Sequence, residues 1–326
     1  MFPTCTPSSS YLKKRKKKDE WDNFMPRNTI MHYAAEIVMD KLSLEVLSCI
    51  VETFPPRQLA VVRAVNSSFR AVAVDVLRYR VNALLAKFFP APAPFLSILK
   101  ATNALVGGSC ALSVLSGTSC VISNIDIFVP QEHGYPDVLD TYLENQGYSL
   151  QSTTTLFPSD SPSPHLVHRR LTYAHLTSSL IVHVWVTTSR SALAGILDAE
   201  TTITMNAITP FGILSLYPML TFSKKGVVNR KAPSSDTEKD KYVAQNFRFP
   251  TSFSSREKQY LTSVRDVHDR FSLFFPFCNA TTTWYAHGLE SIRWVIRNKV
   301  HNGGRLDGIF DYTNFQGRLK GSSQLL

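Results

Sequence analysis

Two glycines and a serine, Gly107-Gly108-Ser109, open a short apolar stretch, and a β-branched run, Asn124-Ile125-Asp126-Ile127-Phe128-Val129, follows it. Adjacent glycines let a backbone approach a ligand closely. Ser109 carries an oxygen suited to cap a helix beginning near Cys110, and the free amides at such a helix start attract phosphate. Period-two alternation predicts a strand over 124–129, with Asn124, Asp126 and Phe128 on one face and Ile125, Ile127 and Val129 on the other. A carboxylate then faces the turn across a short gap. The chemistry this layout suits is the holding of a phosphate chain, with Asp126 as ligand to a hard cation.

These residues resemble the signature of the nucleotidyltransferase superfamily, a Gly-Gly-Ser turn, a short helix and a strand bearing two acids one residue apart. Gly107, Gly108 and Ser109 match the turn, fourteen residues separate Ser109 from the strand triplet, and Asp126 matches the second acid. Asn124 stands where the first acid belongs. The resemblance implies paired carboxylates that hold two magnesium ions on a nucleoside triphosphate and on the attacking hydroxyl. It also implies a third acid on a neighbouring strand, and the apolar run 180–186 offers His183 at that place. An amide oxygen brings no negative charge, and imidazole is a poor magnesium ligand. The implied site is therefore degenerate: Gly107, Gly108 and Ser109 cradle phosphate, Asp126 remains as metal ligand, and Asn124 and His183 replace acids. Segments 192–197, 201–206 and 216–221 extend the resemblance, over roughly residues 40–225, to a group of fungal proteins. These pair a helical, F-box-like N-terminus with a nucleotidyltransferase-like domain.

The elements that must position these residues are legible from periodicity. Leu44, Leu47, Val51 and Phe54 recur at helical spacing and stop at Pro55-Pro56. A second helical stretch runs from Gln58 through Val62, Val65, Phe69 and Val72 to Val76. Pro90, Pro92 and Pro94 are expected to stop helix formation and to mark a subdomain boundary. The segment 42–50, Leu-Ser-Leu-Glu-Val-Leu-Ser-Cys-Ile, resembles the first half of F-box motifs, with Ser43 where proline is usual. Leu59, Val62, Val65, Phe69 and Arg70 resemble the second half. That resemblance implies docking to a Skp-type adaptor of a ubiquitin ligase through Leu44, Leu47, Ile50 and Val65. The competing reading is a helical layer packed on the following domain. Helices are also expected at 256–274 and 288–300, where Arg293-Trp294 fits either core packing or stacking on bases. The expected architecture is α+β, a small mixed sheet flanked by helices. Its parts are a basic arm at 1–33, an F-box-like region at 34–94, an α/β domain at 95–225, an exposed loop at 226–255 and a helical extension at 256–326.

Hydrophobic residues make up 44% of the 326 positions, too many for a chain disordered throughout. Thirty-five basic and 25 acidic residues give a formal +10, and Lys13 to Lys18 supplies six of those charges, which leaves +4 for the rest. Such a run repels itself and stays solvated. It suits a nuclear import receptor, or weak phosphate contact with nucleic acid that reads no sequence. No stretch of eighteen apolar residues suggests a membrane span, and a signal-peptide order of charges is absent. Five cysteines without a CxxC pair favour a reducing, intracellular setting, in nucleus or cytoplasm. His165 and His168 lack a third ligand, and Ser109, Ser113 and Ser116 lack a nucleophile elbow. Three functions stand together at this point: a degenerate nucleotidyltransferase fold acting by binding, slow magnesium-dependent nucleotidyl transfer from a nucleoside triphosphate, and an F-box-like adaptor.

Overall fold

Seven segments, 42–116, 122–156, 166–228, 235–267, 269–277, 292–300 and 306–314, are described by the computed structural model. Lys13–Lys18, His165 and residues 301–305 lie outside them. The chain divides into a unit 1–47, of which 42–47 is described, and a unit 48–326 that carries the architecture below.

Four helices come first: α1 Leu44–Glu52, α2 Pro56–Val62, α3 Ser67–Leu85 and α4 Pro92–Ala101. Asn66 starts α3 by accepting a hydrogen bond from the Phe69 amide at 2.9 Å, the usual way of satisfying a free helix-start donor. Phe69, Val72, Ala73, Val76 and Leu77 form its buried stripe. Arg80 donates to the carbonyls of Glu52 and Phe54 at 2.8 and 2.7 Å, closing the gap between α1 and α2 onto α3. The proline run does end the helical stretch before it, but Pro92 also opens α4, which crosses residue 94. Proline lacks only an amide that a first-turn residue leaves unbonded in any case. The expected break at 94 is therefore a helix start.

The remaining elements build an α+β arrangement around one eight-stranded sheet. Its strands are β1 Leu105–Gly107, β2 Asn124–Pro130, β3 Tyr148–Thr155, β4 Val167–His175, β5 Ile181–Thr187, β6 Asn206–Thr209, β7 Gly212–Ser215 and β8 Leu273–Pro276. They stand in the order β3-β4-β5-β2-β1-β6-β7-β8. Only β2 and β5 pair parallel; the other neighbours are antiparallel. Between strands lie α5 Gly108–Ser116, α6 Tyr135–Asn145, α7 Leu193–Leu197 and α8 Pro218–Phe222.

Alternation gives the two sides of β2, β4 and β5 different fates. Ile125, Ile127, Val129, Val182, Val184, Val186, Leu171 and Tyr173 are all buried. Helix α6, with buried Leu139 and Leu143, packs on β2 and β3. The Tyr173 hydroxyl donates to Asp140 of α6 at 2.8 Å, and burial together with that carboxylate drives its pKa upward. Tyr148 donates to the Phe88 carbonyl at 2.9 Å beside a stack of Phe89 on Phe95. Each fully buried aliphatic side chain contributes about 1.5–3 kcal/mol relative to exposure, so this side fixes the register. On the opposite side Asp126, Arg170, Thr172, His183 and Trp185 are half-buried, while Phe128 is buried in a second apolar cluster.

The C-terminal third departs from the sequence reading. The described residues of 226–255 are no exposed loop: they include α9 Ser235–Val243, and Val227, Tyr242, Phe247 and Phe253 are buried. The helix expected at 256–274 is confined to α10 Ser255–Thr262, and 273–276 is strand β8. The helix expected at 288–300 is instead strand β9 Ile292–Val300, paired with β10 Leu306–Asn314 in a separate two-stranded sheet. The residues Ile292, Trp294 and Ile296 recur at period two as well as near helical spacing, and β-branching decides for the strand.

Candidate functional site

The glycine turn forms where β1 runs directly into α5. Gly107 pairs with Asp126 across the antiparallel β1–β2 ladder. A β-carbon on Gly107 would lie 2.6 Å from the Phe128 ring and 3.3 Å from Ile196, so no side chain fits. Gly108 adopts φ +62°, the left-handed region that favours glycine, and a β-carbon there would run into the Asp126 carboxylate. Helix α5 already begins at Gly108, so Ser109 sits inside its first turn instead of capping it. Cys110 is buried, its thiol donates to the Asn124 carbonyl at 3.4 Å, and burial followed by the charge of Asp126 pushes its pKa up. That thiol is a packing group and not a nucleophile.

Strand register collects the other polar side chains into two rows across the half-buried side of the sheet. One row reads Ser152 (β3), Thr172 (β4), His183 (β5), Asp126 (β2) and Gly107 (β1). The adjacent row reads Thr154, Arg170, Trp185 and Phe128 on β3, β4, β5 and β2. Trp185 holds the rows together. Its indole N–H donates to Asp126 Oδ1 at 3.0 Å, its ring stacks on Phe128 at 6.2 Å and 14°, and the Arg170 guanidinium lies 5.4 Å from its centroid. Thr172 Oγ1 and His183 Nδ1 are 3.3 Å apart. Burial holds the His183 pKa below its ordinary value, Asp126 works against that and Arg170 with it. At neutral pH the imidazole is therefore neutral, flanked by one negative and one positive group.

Of the sequence-derived residues, Gly107 and Gly108 abut Asp126, and His183 stands beside Asp126 in the β2–β5 register, whereas Ser109 lies in the first turn of α5. Asn124 sits two residues before Asp126, opposite Ile181, at the start of β2. Sequence reasoning missed Arg170, Thr172 and Trp185. Alternation in 180–186 assigns Trp185 to the face of His183, whereas Arg169-Arg170 reads locally as the end of a polar loop. Only the pairing of β4 with β5 brings Arg170 onto Trp185.

The resemblance implies magnesium, and the donors present do not fit a two-ion site. Asp126 Oδ1 accepts from the Trp185 indole N–H, and the other carboxylate oxygen lies against Gly108. Its neighbours in register are an imidazole and a glycine. Among the described residues, no group of three or more His, Cys, Asp or Glu side chains is placed to hold a metal ion. Hard cations need several oxygen ligands and negative charge.

No family model matches the chain, and no curated protein matches it. One solved structure, described as a "tRNA-processing enzyme (apo form I)", is similar at 15% identity and TM-score 0.30, over 52% of this chain and 45% of that one. The chain thus matches less than half the length of that structure. At this similarity the likeness carries no inference. Among the described residues no helix is long and apolar enough to cross a membrane.

Proposed function

We propose that this chain has a nucleotidyltransferase-type fold whose site binds a phosphate-bearing nucleotide without transferring it. The support is the order strand, Gly107-Gly108-Ser109, helix, Asp126 strand, with a parallel strand beside the last. One observation carries the binding-only reading: His183 stands in register with Asp126 where transfer chemistry needs an acid. The Asp126 carboxylate itself lies against Gly108. A phosphate at the turn has to meet that charge, or displace it. Titration of a nucleoside triphosphate by calorimetry, with and without magnesium, tests the reading. Saturable binding with no pyrophosphate released is expected. Pyrophosphate release above background would restore slow nucleotidyl transfer. Absence of binding in both conditions would leave only a mixed α/β fold.

A second reading, the F-box-like adaptor, draws on exposed apolar side chains in α1 and just after α2. Leu44 is 57% exposed and Val65 36%, while Ile50 is half-buried and Leu47 is buried at 3%. Val46 and Val61 add exposed apolar area. Of the four residues that the resemblance assigns to a Skp-type adaptor, Leu44 and Val65 are exposed, whereas Leu47 is buried. Capture of that adaptor by the wild-type chain, abolished by Leu44→Asp with Val65→Asp, supports it; capture unaffected by both changes removes it. The import receptor proposed for Lys13–Lys18 concerns residues outside those described.

A further inference from the structure

We infer that the outer half of the sheet's half-buried side, centred on Arg170, is a metal-independent site for a phosphate-type oxyanion. The inference rests on the binding reading above only for the phosphate-bearing class of ligand, and it moves the anion from the glycine turn to β3, β4 and β5.

Three observations carry it. First, Arg170 is a half-buried cation whose Nε is shielded from solvent and meets no acceptor. Among the described residues no ion pair engages it. A buried donor without a partner is costly and calls for an explanation, and a planar guanidinium matches oxyanions through paired N–H donors. Second, the guanidinium lies over the Trp185 ring at 5.4 Å from its centroid, a cation–π contact that holds the charge beside the rows before any ligand arrives. Third, the same two rows set donors around it. Thr154 stands opposite Arg170 and Ser152 opposite Thr172 on β3, while His183 neighbours Thr172 on β5. When Nδ1 accepts from the Thr172 hydroxyl, His183 presents Nε2–H as a further donor.

Asp126 does not oppose such an anion strongly. It lies two strands from Arg170, about 10 Å at the usual strand spacing, and its carboxylate is turned toward Gly108 and the indole of Trp185. The glycine turn, by contrast, already has a carboxylate against it. Negative charge on a ligand is better received at the Arg170 end of the rows.

The test uses the full chain, inorganic pyrophosphate as probe and calorimetry in buffer containing a chelator. Saturable binding without metal is expected, weakened at least tenfold by Arg170→Gln and less by Arg170→Lys. Circular dichroism checks that each variant folds. Should Arg170→Gln unfold, Thr154→Val on the edge strand serves in its place, with binding expected to weaken several-fold. The site is overturned by absent binding, by binding that Arg170→Gln and Thr154→Val leave unchanged, or by loss in Ser109→Ala. It is also overturned by binding that vanishes when Lys13–Lys18 is replaced with glutamine, which would assign the anion to the arm. Pyrophosphate binding through Arg170 alongside a silent nucleotide titration would retain this site and remove the nucleotide reading alone. Magnesium-dependent nucleotide binding sensitive to Ser109 would do the reverse.

Discussion

The Asp126 carboxylate occupies the space that a β-carbon on Gly108 would need, so strand β2 and the start of helix α5 are locked at one point. Two penalties follow for Gly108→Ala. The left-handed backbone at φ +62° costs a side-chain-bearing residue about 1–2 kcal/mol, and the new methyl group meets the carboxylate. Loss of about 2–4 kcal/mol of stability is expected in urea denaturation, in the range of overpacked and strained sites. Combining it with Asp126→Ala should recover the steric part, giving a coupling of about 1 kcal/mol or more. Additive effects would mean that the two residues do not meet.

His183 gives the site a pH dependence with a definite sign. Its folded pKa lies below the ordinary value, first through burial and then through Arg170, with Asp126 opposing. The unfolded chain therefore takes up this proton first as pH falls. Stability drops from about pH 6.5, the unfolded value, down to the folded value, and is unaffected by this group above that window. Asp126→Asn removes the opposing charge and should move the His183 titration lower, whereas Arg170→Gln should move it higher. Proton NMR of the imidazole, assigned with His183→Gln, reads both. Equal shifts in one direction would break the arrangement in two rows.

The part of the site that lies close in sequence was legible, and the part made by strand pairing was not. Gly107 to Ser109 and the alternation of Asn124, Asp126 and Phe128 are local patterns, and the β1–β2 ladder brings Gly107 onto Asp126. His183 is also found opposite Asp126, because a single ionisable residue in an apolar strand run is conspicuous. Arg170 belongs to the site only through the β4–β5 register, in which a bulge between Val167 and Arg169 shifts the phase of the strand. No count along the sequence reveals such a shift. Strand β9 escapes the sequence pattern for a different reason: Ile292 and Trp294 satisfy more than one periodicity, and Trp294 is held by backbone bonds to Arg265, far away in the pattern.

Arg265 is the polar anchor of the C-terminal third. It is fully buried, with its guanidinium 4.9–5.8 Å from the rings of Tyr217, Tyr260, Phe271 and Trp294. It pairs with Asp269, donates to the Leu216 carbonyl at 2.8 Å, and its backbone exchanges hydrogen bonds with that of Trp294. Burial works against the charge, but Tyr260, Asp269 and Tyr217 outweigh it and the net shift is upward. Arg265→Ala leaves Asp269 without its cation and opens a cavity between four rings, so a loss of about 3–5 kcal/mol is expected. Arg265→Met, which keeps the volume, should cost less. Indole fluorescence reports the release of β9 through Trp294. A loss confined to the Asp269 pair would make the two variants equal.

Glu257 supplies the acid-side limit of stability. Its Oε1 receives Lys225 Nζ at 2.6 Å, and its Oε2 accepts the Ser254 amide at 2.9 Å while its own amide donates to Ser254 Oγ, a capping box at the start of α10. The Lys225 hydrogen bond, opposed by burial and reinforced by the bonds from Ser254, lowers the carboxyl pKa from 4.5 to about 2. The unfolded chain binds this proton first, so the stabilisation is complete above pH 4.5 and disappears as pH falls toward about 2. The pair is partly exposed, with side chains 35% and 22% accessible, so salt should weaken it. Lys225→Met is expected to raise the Glu257 pKa and to destabilise the chain at pH 7 but not at pH 2. Urea melts of both proteins across that range measure the difference, and a gap that stays constant with pH would mean that Lys225 acts by packing its stem and not by its charge.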